Sequence, residues 1–266
     1  MQLRERARQI PLDFMASWAI AKKDMVIYYL RPNIIVSGIL FPLFMFLAFA
    51  IGSIGGGSSS VPQGGPEIAQ LGALIPGLLA ITVLFSASSI EPVSIPIERR
   101  MKTFDRLISA PISLNALVLG ESLSGFLYSL GIALIPLAIG VAFFGNIILA
   151  PAALLLALGL SSLCFSSLGT LVASYPTENV GEVMSILNLI RFPLIFLSGV
   201  FIPLGNLPSW GQAVAVLSPL TYTMDFIRFG YSGASHLGPW VDILVLALFT
   251  TGFQLIGTWL YRRFNE

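Results

Sequence analysis

The sequence predicts an all-α polytopic membrane protein with six transmembrane helices, an N-terminal amphipathic interfacial helix and an external re-entrant hairpin between spans five and six. Apolar residues make up 56% of the 266-residue chain and charged residues only 10%, whereas soluble domains carry roughly 25% charged residues. Residues 122–177 contain no charged side chain, and about 18 apolar residues in a row already suffice for a span. The apolar runs are continuous rather than alternating, which favours helices over a β-barrel.

The spans follow from charge-free stretches of the chain, which we treat as one transmembrane domain, 1–266. Each stretch has about 20 residues or more, which is enough to cross roughly 30 Å of hydrocarbon as a helix. The predicted spans are 33–53, 68–90, 117–144, 147–174, 183–203 and 243–261.

The segment 11–31, before the first span, carries Phe14 and Trp18 at helical spacing, with Asp24 on the opposite side. This pattern predicts an amphipathic helix that lies on the cytoplasmic face of the membrane. The alternative is an N-terminal extension of the first span. Pro32 favours a break instead, because the residue before a proline disfavours continued helix.

Basic residues give the orientation, because cytoplasmic loops of membrane proteins are rich in Lys and Arg. All but two of the fourteen Lys and Arg residues fall in the segments 1–31, 91–121 and 262–263. Both termini are therefore expected in the cytoplasm, with the cell (plasma) membrane as the location. An even number of spans leads to the same orientation independently.

The two longer external segments differ in composition. Residues 54–67 are rich in Gly and Ser and are typical of a short flexible linker. Residues 204–238 stay apolar but contain several prolines and aromatics, which predicts short re-entrant or interfacial helices. The alternative is one more span in this segment, which would place the basic C-terminus outside against the charge rule.

The chain lacks the residues that several classes of function require. The chain has no Gly-rich phosphate-binding loop with a following Lys, so it has no nucleotide site of that type. His236 is the only histidine and Cys164 the only cysteine, which excludes metal sites built from several His or Cys residues. A net charge of +1 gives no indication of a nucleic-acid partner. We therefore expect no catalytic residue and no enzyme.

The densest polar cluster lies in the cytoplasmic loop between spans two and three, where prolines bracket a short predicted helix, 97–110. Ile97 and Phe104 share its apolar face, and Arg99 and Arg106 lie away from that face. A short amphipathic helix between two spans is typical of a docking element for a cytoplasmic partner. A solvated basic loop without a partner explains the composition equally well.

The same loop contains, in order, Glu98-Arg99, Thr103, Leu107-Ile108 and Pro111-Ile112-Ser113. This order resembles the coupling region of ABC type-2 exporter permeases, which has an acidic-basic pair, a Gly-Thr, hydrophobic residues and a Pro-Ile/Val-Ser. The usual Gly before the Thr is Lys102 in this chain.

A second stretch is similar to the fifth span and external hairpin of that family. It comprises Pro193 to Pro203 with Ser198-Gly199 inside it, then Leu207-Pro208-Ser209-Trp210, Ser218-Pro219-Leu220-Thr221-Tyr222, Asp225 and Arg228. The Ser-Gly pattern alone is weak, but its combination with the later motifs is specific. The resemblance covers nearly the whole chain. A drug-efflux-like branch is the first choice, because nothing in the chain resembles a dedicated sugar-recognition element.

The resemblance implies a homodimer of permeases, with two separate ABC ATPase subunits docked on the cytoplasmic faces. ATP and Mg would then bind to the ATPase partners, and this chain would bind no cofactor of its own. In this chain the implied coupling contacts are Glu98, Arg99, Thr103 and Arg106, with Glu178 and Glu182 as weaker candidates. Acidic residues at a helix start would explain the last two equally well.

Arg191 is the ionisable residue placed deepest in the predicted spans, where a charge costs about 3 kcal/mol. We predict that it lines the dimer interface or the substrate path and pairs with Glu121. Ser198 and Gly199 are further candidates for that path. The alternative is that the fifth span begins later and Arg191 extends to the cytoplasmic surface.

The expected function is that of the membrane-spanning permease of an ATP-driven ABC exporter for a hydrophobic or amphipathic substrate. A drug-like compound is the first choice and a lipid the second. Export of a lipid-linked polysaccharide and a non-transporting membrane scaffold are the alternatives. An ion-coupled transporter would need intramembrane carboxylates or broken helices with an ion site, whereas the clear intramembrane charge here is basic.

Overall fold

The computed structural model describes residues 2–30, 74–110, 112–144, 148–200 and 208–265, with isolated positions at 32, 35–36, 38–40, 42–44, 47–48 and 72. Every secondary-structure element in this part of the chain is a helix. The predicted first span, 33–53, lies mostly outside the described residues. The external linker, 54–67, lies wholly outside them.

The first helix, α1, covers Gln2–Asp24 and continues into a π-helical segment, Met25–Tyr29. Phe14 and Trp18 are exposed on it, while Ser17 is buried against the rest of the protein. The aromatic side of the helix thus faces outward and the polar side faces inward. The helix also begins well before the predicted start at residue 11.

The helix after the linker is broken close to its cytoplasmic end. The two parts are α2, Ile75–Ala87, and α3, Glu91–Arg100, separated at residues 88–90. Pro92 lies in the first turn of α3 and Pro96 inside it. Because proline has no amide hydrogen, Pro92 cannot donate to the backbone oxygen of Ser88, the helical hydrogen bond that would continue α2.

The segment predicted as a single helix, 97–110, is divided in two. Helix α3 ends at Arg100, and α4 covers Thr103–Ile108. Lys102 lies between them with a φ of 56°, in the left-handed region. A left-handed residue ends a right-handed helix, so the charged segment forms a bent tip rather than a straight rod.

Three long apolar helices follow: α5, Leu114–Phe144, α6, Pro151–Ala173, and α7, Val180–Leu197. Helix α6 begins at a proline, which is well suited to the first turn because its missing N–H is not needed there. Helix α7 ends before the predicted limit at 203, because Gly199 has a φ of 76° and takes the left-handed conformation common after helix ends.

The external segment folds into two shorter helices, α8, Ser209–Ala215, and α9, Pro219–Ser232. Helix α9 has 14 residues, about 21 Å of helix, which is too short to cross ~30 Å of hydrocarbon. The alternative of one more span in this segment is therefore not supported. Helix α9 packs against α2, α6 and the last helix, α10, Pro239–Asn265.

Five helical stretches among the described residues are long and apolar enough to cross a membrane, if α2 and α3 are counted as one: Ile75–Arg100, Leu114–Phe143, Pro151–Ala173, Val180–Leu197 and Pro239–Phe264. They correspond to the second through sixth predicted spans. The total of six stays a prediction, because the first span is mostly outside the described residues.

Helix α2 forms the centre of the bundle. Nearly all of its residues are buried, and it contacts α5, α6 and α9. Helices α7 and α10 instead keep large apolar side chains exposed, including Leu189, Phe196, Leu244 and Leu255. Exposed apolar faces of this kind suit contact with lipid or with another subunit.

Candidate functional site

Glu98, the acidic residue of the predicted coupling pair, points into the protein. Its Oε1 accepts a hydrogen bond from Nζ of Lys23 at 2.6 Å, and its side chain is only 6% exposed. The same Nζ lies 3.1 Å from Oδ1 of Asp24. Glu98 thus connects the last turn of α3 to the end of α1.

Two carboxylates, those of Asp24 and Glu98, contact the ammonium group of Lys23, and that of Glu121 acts on it electrostatically. Burial alone would lower the pKa of Lys23, but the charges of Glu121, Asp24 and Glu98 together raise it above its ordinary value. Burial raises the pKa of Asp24, although the charge of Lys23 and hydrogen bonds with Glu121 and Lys23 act in the opposite direction. The cluster is therefore a buried acidic centre that holds Lys23 in its charged form.

Arg99, the basic residue of the pair, also makes internal contacts. Its guanidinium donates to the backbone oxygens of Tyr175 and, at 3.2 Å, of Ser174. The same group lies 5.1 Å from the ring centre of Phe104 and 5.9 Å from that of Tyr261. Arg99 therefore joins α3 to the end of α6 and to the last turns of α10.

The exposed part of the loop is the bent tip, residues 100–106, in which only Phe104 is buried. Thr103 Oγ1 donates to the backbone oxygen of Glu98 at 3.2 Å and closes the turn around Lys102. Met101 is 67% exposed, and Lys102 and Arg106 are also exposed. Of the four implied coupling residues, Arg106 is the one that the structure leaves exposed to a partner.

The second cytoplasmic loop supports the start of α7. Asn179 caps this helix by accepting from the Gly181 amide at 2.9 Å. The Glu182 carboxylate accepts from Thr177 Oγ1 at 2.8 Å and from the side-chain Nδ2 of Asn179 at 3.3 Å. Glu178 is exposed. Glu182 is thus an acidic residue at a helix start, which is the alternative interpretation. Its role in coupling stays a prediction.

Glu91 is a buried acid that sequence reasoning did not select. Its side chain has no exposed surface, and Oε1 accepts from Ser166 Oγ at 3.0 Å and from the Tyr29 hydroxyl at 3.3 Å. Gly125 and Gly169 lie against it, where any side chain would collide with its oxygens. The available signal was an acid directly before a proline at the end of an apolar run.

Arg191 is buried but does not pair with Glu121. Its Nε and Nη2 donate to Ser88 Oγ at 3.1 and 2.8 Å, and Nη2 also donates to Ser89 Oγ at 2.9 Å. Glu121 instead lies beside Lys23 at the end of α1. The predicted ion pair is therefore wrong. The serine hydroxyls at the break between α2 and α3 accept the hydrogen bonds of the guanidinium instead.

The alternative position of Arg191, at the cytoplasmic surface, is not observed either. Helix α7 begins earlier than predicted, at Val180, which places Arg191 about 16 Å along the helix. Its side chain is only 1% exposed, and the guanidinium lies 4.8 Å from the centre of the Phe85 ring.

A cavity of about 410 Å³ lies beside Arg191, between α2, α3, α5, α7 and residues near the start of the chain. Its walls are mainly apolar and aromatic. The residues that line it include Phe85, Ser86, Tyr128, Met184, Asn188 and Phe192.

The two remaining candidates for the substrate path belong to the end of α7. Ser198 is buried, and its hydroxyl donates to the backbone oxygen of Ile195 at 2.8 Å. Gly199 accepts a hydrogen bond from Arg228 Nη2 at 3.2 Å. No group of His, Cys, Asp and Glu suited to a metal ion occurs within the described ranges.

Comparison with known proteins gives a match between residues 15–231 and the ABC-2 type transporter family. The sequence is 30% identical over 221 residues to the transport permease ycf38 of Cyanophora paradoxa, a match that covers 78% of this chain and 71% of that protein. It is 24% identical over 183 residues to the inner membrane transport permease YadH of Escherichia coli, over 69% of this chain and 71% of that protein.

Proposed function

Because the chain belongs to the ABC-2 type transporter family, and is thus a multi-pass membrane subunit of a transporter, we propose that it is the permease of an ATP-driven exporter. Separate ABC ATPase subunits would dock on its bent tip and hydrolyse ATP. The chain itself would supply the path for the substrate. Arg106 and the neighbouring tip residues would make the first contacts with the ATPase.

The observation that carries this proposal is that some residues of the charged loop bind other helices while others are exposed. Glu98 and Arg99 hold α3 to α1, α6 and α10, whereas Met101 and Arg106 are exposed. A push on the tip would therefore be passed directly to three other helices. Thr103 would keep the turn in shape between the two parts.

The proposed substrate is hydrophobic or amphipathic, with a drug-like compound or a lipid as the first candidates. The mainly apolar cavity beside Arg191 supports this, because drug-sized ligands bind in apolar pockets of roughly 300–1,000 Å³ with a few polar groups. Export of a lipid-linked polysaccharide is the remaining candidate within transport.

We further propose a homodimer in the cell membrane with both termini in the cytoplasm. The distribution of Lys and Arg supports the orientation. The exposed apolar residues on α7 and α10 support a second subunit or lipid on those faces. In this arrangement residues 204–238 would form the external re-entrant region.

The test is copurification with the cognate ABC ATPase in lipid, together with ATPase activity. Met101→Asp/Arg106→Glu should lose the ATPase while the permease stays folded, because both side chains are exposed. Glu98→Ala/Arg99→Ala should instead uncouple hydrolysis and lower the permease's own stability. Ala234→Glu is the matched control, since it adds a charge to an exposed residue in the loop before α10, at the end opposite to Tyr261.

Failure of any ATPase to associate would contradict the proposal and favour an ion-coupled transporter. Association without ATP-dependent flux in proteoliposomes would favour the scaffold interpretation. Full association of the Met101→Asp/Arg106→Glu variant would show that docking uses another surface.

A further inference from the structure

Arg191 carries a buried positive charge that its direct partners do not neutralise. The partners of Nε and Nη2 are the hydroxyls of Ser88 and Ser89 and the backbone oxygen of Phe85. In the described part of the chain, no carboxylate lies within 4.0 Å of this guanidinium. Glu91, an acid that acts on it electrostatically, has its Oε1 bonded to Tyr29 and Ser166 instead.

A buried charge without a counter-ion is expensive in a membrane, and such residues usually mark a functional site. Arg191 lines the 410 Å³ cavity, so an anion that entered the cavity would find a donor already oriented by two serines. Guanidinium groups bind carboxylates and phosphates through short, charge-assisted hydrogen bonds. The cavity therefore provides the positive half of an ion pair.

The walls of the cavity restrict which anion would bind. Phe85, Met184 and Phe192 give it an apolar lining, and Ser86 and Asn188 add a few neutral polar groups. A free inorganic anion would lose most of its hydration shell against these walls, with Arg191 as its one charged partner among the lining residues. An anion attached to an apolar chain would place the chain against the aromatic and Met side chains and the charge against Arg191.

We propose that the Arg191 cavity binds an amphiphile with an acidic headgroup, such as a phosphate or carboxylate on an alkyl chain. The inference rests on the proposed function, and it assigns the substrate class of that transporter as anionic amphiphiles. Ser88 and Ser89 are positioning residues that orient the guanidinium. Asn188 lines the same cavity and offers an uncharged amide to the headgroup.

The experiment measures binding of radiolabelled hexadecyl phosphate and of hexadecanol to the purified full-length chain in uncharged detergent. The two probes share one alkyl chain and differ in charge. The wild-type chain should bind the phosphate about tenfold more tightly than the alcohol. Excess inorganic phosphate should not displace the bound probe if the apolar chain is required.

Arg191→Gln should reduce the affinity for hexadecyl phosphate to that for hexadecanol, whereas Arg191→Lys should keep part of the preference. Asn188→Asp provides a nearly isosteric second variant that leaves Arg191 in place, and it should repel the phosphate selectively. Arg228→Gln is the control, because Arg228 bonds to Gly199 and does not line the cavity.

Equal binding of both probes to the wild type would overturn the inference, as would a phosphate preference that survives in Arg191→Gln and Asn188→Asp. Displacement by inorganic phosphate would show an anion site without a chain requirement and would also overturn it. These readouts need no ATPase. A phosphate preference without any associated ATPase would thus reject the proposed function while leaving an amphiphile site in the cavity.

Discussion

The Nζ atom of Lys23 lies 2.6 Å from Oε1 of Glu98, and this contact joins two segments that are 75 residues apart in the chain. Lys23 belongs to the N-terminal helix, and Glu98 belongs to the helix that leads to the exposed tip. Any movement of the tip must therefore move α1 or break this ion pair. Asp24 lies 3.1 Å from the same ammonium group, and the charge of Glu121 acts on it as well.

Removal of the ammonium group should destabilise the protein strongly. Lys23→Ala would leave Asp24, Glu98 and Glu121 buried without a counter-ion. Breaking a buried pair typically costs 3–5 kcal/mol, and we expect roughly 2–3 kcal/mol here because Lys23 is partly exposed. Thermal unfolding in detergent measures the loss. The control is Lys22→Ala, which removes an exposed Lys one position away and should leave the melting temperature within a degree or two of wild type.

A similar loss in both lysine variants would show that net charge, not the buried contact, determines the stability of α1. Replacement of the pair by Lys23→Met/Glu98→Leu should recover part of the loss, because apolar residues of similar volume often replace buried ion pairs without penalty.

The stability of the protein should fall as pH rises from the ordinary pKa of an aspartate. Burial raises the pKa of Asp24 in the folded state, so the folded state binds this proton more tightly than the unfolded state does. Stability is then lost between the unfolded pKa of 3.8 and the raised folded value. Asp24→Asn removes this proton, so its stability should fall less steeply across that window. Unfolding temperatures in a series of buffers from acidic to neutral pH provide the measurement.

Lys23 itself should add no slope in that window. Its folded pKa is raised, so its stabilising effect is complete below its ordinary pKa of 10.5 and is lost only at more alkaline pH. A pH profile of Asp24→Asn as steep as that of wild type would contradict the assignment and would place the titrating proton on another member of the cluster.

Lys102→Gly should stabilise the bent tip. Lys102 has a φ of 56° and an exposed side chain, and a residue with a Cβ pays about 1 kcal/mol or more in that region. Glycine also makes the unfolded chain more flexible, which offsets part of this stabilisation. We therefore expect a net increase of about 0.5 kcal/mol in the free energy of unfolding. Lys102→Val should lose about 1 kcal/mol, because β-branched residues tolerate this conformation least. Arg100→Gly, inside α3, should destabilise and serves as the control in the same unfolding assay.

Gly125→Ala should be poorly tolerated. A Cβ at this position would lie 2.5 Å from Ser166 Oγ and 2.7 Å from the backbone oxygen of Ala87, and overpacking of this kind costs about 1–3 kcal/mol. Gly131→Ala is the matched control on the same helix, since nothing lies within 4 Å of its Cβ position. The yield of monodisperse protein on size exclusion, with melting temperature, distinguishes the two. Equal behaviour would mean that α5 can shift away from α2.

The sequence predicts the apolar helices well because continuous hydrophobic runs need no partner to be recognised. It also predicts the charged loop, since prolines and charges interrupt those runs. It does not predict the inward direction of Glu98 and Arg99. Their partners, Lys23 and the backbone of residues 174–175, are remote in the chain, and helical spacing alone cannot identify them.

The fate of Arg191 shows a second limit. The sequence identifies it as a charge inside a span, but its partners are Ser88 and Ser89, two ordinary small residues. They become hydrogen-bond acceptors for the guanidinium only because the helix breaks before Pro92 and turns both hydroxyls toward α7. A break of one turn in one helix thus decides the environment of a charge in another.

The Glu91 site has a consequence for how this chain can vary. Gly125 and Gly169 leave the volume that the Glu91 carboxylate fills, and a Cβ at Gly169 would lie 2.9 Å from Oε2. The side chains at these three positions, on three helices, therefore share one volume. A side chain added at either glycine overfills this volume, and a shorter side chain in place of Glu91 leaves a cavity. Removal of the collision with Glu91 needs a paired exchange, such as Glu91→Ser together with Gly169→Ala, so changes at these positions have to be concerted.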